Sequence, residues 1–423
     1  MFSVVRPVAP VLAGVVLLEL ALGALSPLIG LQLVRRQVAT EVIGIVASAY
    51  FGGFLLGTLT CHRVIDRVGH IRAFSVFAVV AADAALLHAI IREPLLWIGL
   101  RAATGYALAG LFVIAESWLN DKATTENRGR IFALYMAASW AASGVGPLGL
   151  NIPDPDGRML FTLTAIVLGT ALIPMALTRI GNPEIGHRSH FGVRRLYRIS
   201  PLGFTACFGA GLINTALWGL LPVYTEGSGL SPARLSVLLS TSVIGALLIQ
   251  FPVGMLSDRF GRRPLMLVTT ALAAGLAVAI VALGGRSFAV LLVLTFLLGS
   301  MVAPLYALGV GQTNDYVSRK DFVAASSGLL FAWGLGASIG PAAAAALMRP
   351  LGPSGLFVFV AAALSAIAAF VLVRMILRRG LSAKEQSNFV AVPMTQGTYG
   401  APELDPRGAP VETQPAPAAA PAD

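Results

Sequence analysis

At 423 residues, 56% hydrophobic and only 12% charged, the chain is far from a soluble composition, in which about a quarter of residues carry charge. A water-soluble core cannot bury that much apolar surface, so lipid must solvate much of it. The net charge of +10 sits largely in short loops, and the two cysteines, Cys61 and Cys207, exclude a disulfide framework or a cysteine-based metal site.

A helix needs about 20 mostly apolar residues to cross the hydrocarbon, because lipid offers no partner to an unpaired backbone group. Twelve stretches meet that length. The first six run Val8–Val34, Val42–Thr60, Ala73–Ile91, Leu95–Leu119, Ile131–Ile152 and Met159–Ile180. The second six run Pro201–Tyr224, Leu235–Leu256, Leu265–Gly284, Phe288–Gly311, Val323–Leu347 and Gly355–Leu377. Glu19 interrupts the first stretch, whose 27 residues continue past any small-residue cleavage site, so it reads as a retained helix and not a secretory leader.

Orientation follows from Lys and Arg in the loops. With both termini in the cytoplasm, the inner segments hold 22 of the 30 basic residues. The outer loops hold seven: Arg35, Arg36, Arg92, Arg158, Arg234, Arg286 and Arg349. The remaining one, Arg101, lies inside the fourth stretch. The basic residues therefore set topology in a lipid bilayer and do not indicate a nucleic-acid partner. The chain divides into an N-terminal six-helix half (residues 1–180), a basic cytoplasmic central loop (181–199), a C-terminal six-helix half (200–380) and a Pro/Ala-rich tail (381–423). The tail's composition predicts disorder.

Two connecting loops match one another. Gly254-Met-Leu-Ser-Asp258-Arg259-Phe-Gly261-Arg262-Arg263 joins stretches 8 and 9, and His62-Arg-Val-Ile-Asp66-Arg67-Val-Gly69-His70 joins stretches 2 and 3, 192 residues earlier. Gly146-Pro147 and Gly340-Pro341 form a second pair, 194 residues apart. Two matches at nearly one spacing indicate a duplication.

At these residues the chain resembles the major facilitator superfamily, whose loop reads G-x-x-x-D-R-x-G-R-[RK]. The second copy matches in full; the first departs at His62 and His70. The resemblance covers about residues 8–378. Ala115-Glu116-Ser117-Trp118-Leu119-Asn120, followed by Asn127-Arg-Gly-Arg130, is similar to a bacterial subgroup of undefined substrate. The resemblance implies an all-α membrane protein: twelve transmembrane helices in two pseudo-symmetric six-helix bundles that rock about a midplane cavity. Helices 1, 4, 7 and 10 would line that cavity, with 3, 6, 9 and 12 turned to lipid. Asp66, Arg67, Asp258, Arg259, Gly261, Arg262 and Arg263 are then gate residues. An acid there can face a helix N-terminus, and the arginines can pair with loop carboxylates. The alternative is a basic loop that only sets topology.

Ionisable groups inside the hydrocarbon are costly and each demands an account. Glu19, Asp83, Arg101 and Glu116 are the clear cases. At 1.5 Å per residue, Glu19 lies about 16 Å from the inner boundary and Arg101 about 9 Å from the outer one, so in a core of about 30 Å their heights differ by about 5 Å. A Glu19–Arg101 pair is geometrically reasonable, and the R-x-x-x-G element Arg101-Ala-Ala-Thr-Gly105 is associated with proton coupling in the resembled family. A static buried pair is the alternative. Glu116 belongs either to the inner cavity mouth or to a loop network with Arg128 or Arg130. Asp83 reads as a packing residue on a peripheral helix. Asn214 and Trp218 share a face of the seventh stretch, either toward ligand or with the Trp as an interfacial anchor. Gln312 to Asp315 read as helix capping.

No nucleotide-binding loop occurs, so no cofactor is expected and the proton gradient is the expected energy source. Exporters of the resembled superfamily often carry G-x-x-x-G-P-x-x-G-G in helix 5, matched in part by Ala142-Ser-Gly-Val-Gly146-Pro147-Leu-Gly149-Leu-Asn151. The expectation is a secondary active transporter, not an enzyme. It would export a small organic molecule by proton antiport, as a monomer in the bacterial cytoplasmic membrane. Uptake by symport is the alternative, and a non-transporting membrane sensor or scaffold is the reading from another class.

Overall fold

The computed structural model describes residues 2–124, 126–177, 192–318, 321–378 and 386. Residues 178–191, which include most of the expected central loop, and the tail apart from Gln386 lie outside the described residues. The described residues form helices and no strand. Twelve of these helices are long and apolar enough to cross a membrane. In the N-terminal half they are α1 (Arg6–Arg35), α2 (Thr40–Thr60), α3 (His70–Ile90), α4 (Pro94–Lys122), α5 (Arg128–Asn151) and α6 (Arg158–Ala176). In the C-terminal half they are α7 (Pro201–Gly227), α8 (Pro232–Phe260), α9 (Arg262–Leu283), α10 (Phe288–Asn314), α11 (Phe322–Leu351) and α12 (Gly355–Leu377).

Every expected stretch falls on one of these helices, with ends moved by a few residues, except that the end expected at Ile180 lies outside the described residues. The ends follow local chemistry. Pro94, Pro201 and Pro232 open α4, α7 and α8, where a missing N–H costs nothing. The Ser200, Ser231 and Ser287 hydroxyls accept the free N–H of Gly203, Arg234 and Val290. Three spans are not continuous α-helix. α5 tightens into a 3-10 turn at Gly146–Asn151, α6 is interrupted at Ala171, and α10 is interrupted at Ala303 before Pro304. Hydropathy does not register such breaks, whereas a proline removes a helical donor and clashes with the preceding turn.

The duplication is visible in the packing. A Cβ on Gly53 of α2 would run into the Ala102 carbonyl of α4, and one on Gly105 into the Tyr50 carbonyl. In the second half, Gly245 meets the Phe296 carbonyl and Gly299 meets the Ser242 carbonyl. Each residue in the second set lies 192 (α2 to α8) or 194 (α4 to α10) positions beyond its mate. Helices in lipid associate through such small-residue crossings, since apolar side chains gain little by leaving apolar solvent.

The two halves also reach into each other's Gly-Pro breaks. Pro341 cannot donate to the Ala337 carbonyl, which instead accepts from Thr215 Oγ1 of α7 at 3.0 Å. The next amide, Ala342 N–H, donates across the seam to Ser48 Oγ of α2 at 3.1 Å. At the matching break in α5, the Gly144 carbonyl accepts from Ser240 Oγ of α8 at 2.7 Å. Ser48 and Ser240 are themselves 192 residues apart. Ser236 Oγ donates to Asn151 Oδ1 at 3.2 Å nearby. The ion pairs Arg35–Glu226 (3.7 Å) and Arg349–Glu41 (3.1 Å) join the halves at the same end. Both pairs are partly exposed, so the buried seam contributes more than they do.

Each neutral hydrogen bond contributes about 1 kcal/mol net, so replacing both Ser48 and Ser240 with Ala is expected to favour opening of this end by about 2 kcal/mol, roughly 30-fold. Spin labels on Gln37 and Ser228 would then show a longer distance component. An unchanged distribution would mean that the seam does not hold this end closed.

Candidate substrate cavity and gate

A cavity of about 1460 Å³, counting the open solvent at its mouth, lies between the halves. α1, α4, α7 and α10 line it, as the resemblance implied, but α2, α5, α8 and α11 also contribute through Phe51, Trp140, Val243 and Trp333. α3, α6 and α9 contribute nothing to the wall, and they expose apolar residues such as Val79, Ile166 and Leu272. α12 supplies Phe357 alone.

Glu19, Arg101, Asn214 and Trp218 all face this cavity. Trp218 is thus a wall residue rather than an interfacial anchor. Glu19 and Arg101 are its ionisable residues, 3% and 2% exposed respectively. The expected Glu19–Arg101 ion pair is not made. Arg101 Nη2 donates to Ser26 Oγ at 3.1 Å, and its guanidinium lies over the Tyr50 ring, 4.2 Å from the centroid. The cause is the close crossing at Gly53 and Gly105, which sets Tyr50 beside Arg101. Arg101 Nε and Nη1 are buried without a hydrogen-bond partner, and no hydrogen bond or ion pair reaches Glu19 among the described residues.

Of two further intramembrane acids, Glu116 lies away from the cavity and Asp83 departs from the expected packing position. Glu116 is fully buried and absent from the cavity wall. It accepts from Tyr135 Oη at 2.9 Å and so ties α4 to α5. Asp83 is exposed on the outer face of α3 and does not pack inside the half. His88, five residues on, is buried between Trp97 and Phe161, so the two form no common site.

At the opposite end from Arg35, the matched loops adopt the same backbone turn. Gly69 has φ +82° and Gly261 has φ +87°, a left-handed conformation that explains the glycine of each D-R-x-G element. Asp66, Arg67, Asp258 and Arg259 sit in the exposed last turns just before these glycines. Beyond Gly261 the chain enters α9 with Arg262, whose Nε lies 2.7 Å from Asp315 Oδ2 and whose Nη2 donates to Asp315 Oδ1 at 3.2 Å. Both side chains are 1% exposed. Asp315 therefore does more than cap: a carboxylate at the C-terminal end of α10 is unfavourable against the helix dipole, and Arg262 offsets it. Arg263 donates to Tyr316 Oη at 2.8 Å and to the Arg378 carbonyl at 3.0 Å.

The first-half loop lacks this ion pair. His70 occupies the place of Arg262, and its Nε2 lies 3.3 Å from Ser117 Oγ. Asp258→Asn is accordingly expected to reduce transport more than Asp66→Asn, because the second loop keeps the full motif and is anchored on the buried Arg262–Asp315 contact. Initial rates of the two variants in proteoliposomes check this, and an equal or larger loss at Asp66 would reverse the ranking.

Sequence patterns did not single out Ser48, Ser240, Tyr50 or Trp333. The 192-residue offset points to the two serines once it is applied to polar residues throughout. Tyr50 and Trp333 carry no such signal, because aromatic residues in apolar stretches look like packing.

Two six-helix bundles around a central cavity, sealed at one end and bearing paired D-R-x-G turns at the other, define an alternating-access membrane transporter rather than an enzyme. The sequence profile of the Major Facilitator Superfamily matches residues 11–233 and 203–406, and the chain belongs to that superfamily. It is 29% identical over 377 residues to an uncharacterised MFS-type transporter of Enterobacter sp. (strain 638), covering 88% of this chain and 96% of that one. It is also 29% identical over 386 residues to the uncharacterised MFS-type transporter YcaD of Salmonella paratyphi A, covering 89% and 97%. Among solved structures, the nucleoside transporter NupG superposes with a TM-score of 0.70 at 14% identity, covering 87% of this chain and 98% of that one. A bacterial homologue of the human lysosomal transporter Spinster superposes at 0.69 and 14%, covering 89% and 97%. At such identity these structures share the fold with this chain.

Proposed function

We propose that this transporter moves a small organic molecule across the bacterial cytoplasmic membrane by coupling it to the proton gradient, with Glu19 as the proton-carrying group. The observation that carries the reading is a carboxyl group buried in the cavity wall with no hydrogen-bond or ion partner. Such a group takes up a proton when water and cations withdraw and releases it when they return, which is what alternating access supplies. The Lys and Arg distribution supports cytoplasmic termini, with the sealed Arg35 end outward.

Two senses of coupling have support. Export by antiport rests on the partial helix-5 element: a Cβ on Gly146 would strike the Leu20 carbonyl of α1, one residue from Glu19. Uptake by symport is favoured by Arg101, which faces the same cavity without a carboxylate partner. An anion seated there and a proton on Glu19 would stabilise each other, and this gives symport the better geometric support.

Vesicles loaded with a pH-sensitive dye and challenged with small organic acids, amines and neutral compounds test the proposal. At least one compound should drive a lumenal pH change that depends on the protein. Acidification on external addition marks symport; alkalinisation marks antiport. Substrate flux without any pH change would overturn proton coupling, and absence of flux would overturn transport of these compounds.

A further inference from the structure

We infer that the substrate is an organic acid, a carboxylate on a largely apolar or aromatic body, and that its carboxylate sits on the guanidinium of Arg101. This deepens the transport reading above and rests on it for the movement of the acid, though not for its binding.

The argument begins with an unbalanced charge. Arg101 is 2% exposed in the outer part of membrane helix α4, where a buried cation is costly and is retained for function. Its contacts here are neutral: the Ser26 hydroxyl and the face of Tyr50. Nε and Nη1 are buried with no acceptor, which leaves three N–H donors unmet. Arginine holds carboxylates through two parallel charge-assisted bonds, so an incoming carboxylate is the ligand group that removes this imbalance.

A second orphaned donor points the same way. Trp333 is 3% exposed in the cavity wall, and its indole N–H has no hydrogen-bond partner. It is linked to Arg101 by a run of ring contacts: Arg101 over Tyr50, Tyr50 to Phe51 at 4.9 Å, and Phe51 to Trp333 at 6.1 Å. Both orphans can only donate, so the ligand must accept. The remainder of the wall is mostly apolar, with Trp140, Trp218 and Phe357 able to cover a hydrophobic body.

While Glu19 holds its proton, the charge arithmetic favours an acid over the other ligand classes. A cation in the cavity would then face an uncompensated Arg101. A neutral molecule would leave the buried guanidinium unpaired and forgo the strongest interaction available. The site is also one-sided. The repeat mates of Arg101 and Tyr50 are Thr295 and Ser242, which line the same cavity without charge. An acid therefore binds with its charged end on the N-terminal half.

The test uses matched sets of six- to twelve-carbon molecules sharing one body: 3-phenylpropionate and related carboxylates, their primary amides, and the corresponding ammonium compounds. Binding to the purified full-length protein is read from quenching of tryptophan fluorescence and from thermal stabilisation. For at least one body, the acid should bind about 10-fold or more tightly than its amide, with no binding by the ammonium form. Arg101→Gln should erase the acid's advantage, bringing its Kd to within a few-fold of the amide's. Arg101→Lys, which keeps the charge and serves as a folding control, should retain part of it. Trp333→Phe should weaken the acid a few-fold.

The proposal is overturned if amides or ammonium compounds bind as tightly as acids, if Arg101→Gln keeps the acid preference, or if no acid in the set binds. Acid binding without flux or pH change in vesicles would sink the transport reading and leave this site standing. Proton-coupled flux of amines or neutral compounds, with no acid binding, would sink this inference alone.

Discussion

Arg262→Ala is expected to cost about 3–5 kcal/mol of stability, the largest loss from any single change in the matched loops. The guanidinium and the Asp315 carboxylate are each 1% exposed and 2.7 Å apart. Removing the cation leaves a buried carboxylate at the C-terminal end of α10, where the helix dipole already opposes it. There is little room for repair, because the guanidinium packs directly beneath Gly311 of α10. His70→Ala, at the matching first-half position, removes a neutral contact with Ser117 and a ring contact with Trp118, and is expected to cost about 1–2 kcal/mol. Thermal unfolding of both variants in detergent separates the two cases. Replacing Arg262 and Asp315 together by apolar residues should recover much of the loss, since neither charge then remains unpaired. Similar midpoints for Arg262→Ala and His70→Ala would show that the pair does not anchor the second loop.

What the sequence made legible were the features set by short-range or periodic rules. Helix count follows from the thickness of the hydrocarbon. The duplication follows from two loops and two Gly-Pro pairs at nearly constant spacing. The same offset then relates Gly53 to Gly245 and Ser48 to Ser240, so the seam between the halves was latent in the numbering. Glu19, Arg101, Asn214 and Trp218 could be singled out because polar groups in an apolar stretch are conspicuous, and the structure brings all four to one cavity wall.

The relation between Glu19 and Arg101 was not legible. Depth along a helix fixes height but not which neighbour a long side chain meets, and the Gly53–Gly105 crossing delivers Tyr50 to Arg101 first. Glu116 shows the same limit. Its helical phase left both the cavity mouth and a loop network with Arg128 or Arg130 open, and the Tyr135 hydroxyl on α5 is one group that holds it inside the bundle. The proline-linked interruptions in α6 and α10 escape hydropathy because both sides of each break are equally apolar.

The second large effect concerns coupling. Glu19→Gln keeps the size and hydrogen-bonding capacity of the side chain but cannot exchange a proton. A carrier without its proton site can still shuttle loaded with substrate, so exchange of labelled for unlabelled substrate should persist within a few-fold of wild type. Accumulation driven by a pH gradient should fall by about 100-fold or more, to the level set by the substrate gradient alone. Both rates can be read on the same proteoliposomes, using the compound that produces a lumenal pH change with the wild-type protein. Retained exchange with no response to the imposed gradient is the predicted result. A gradient response equal to that of wild type would contradict the account and remove Glu19 as the proton carrier.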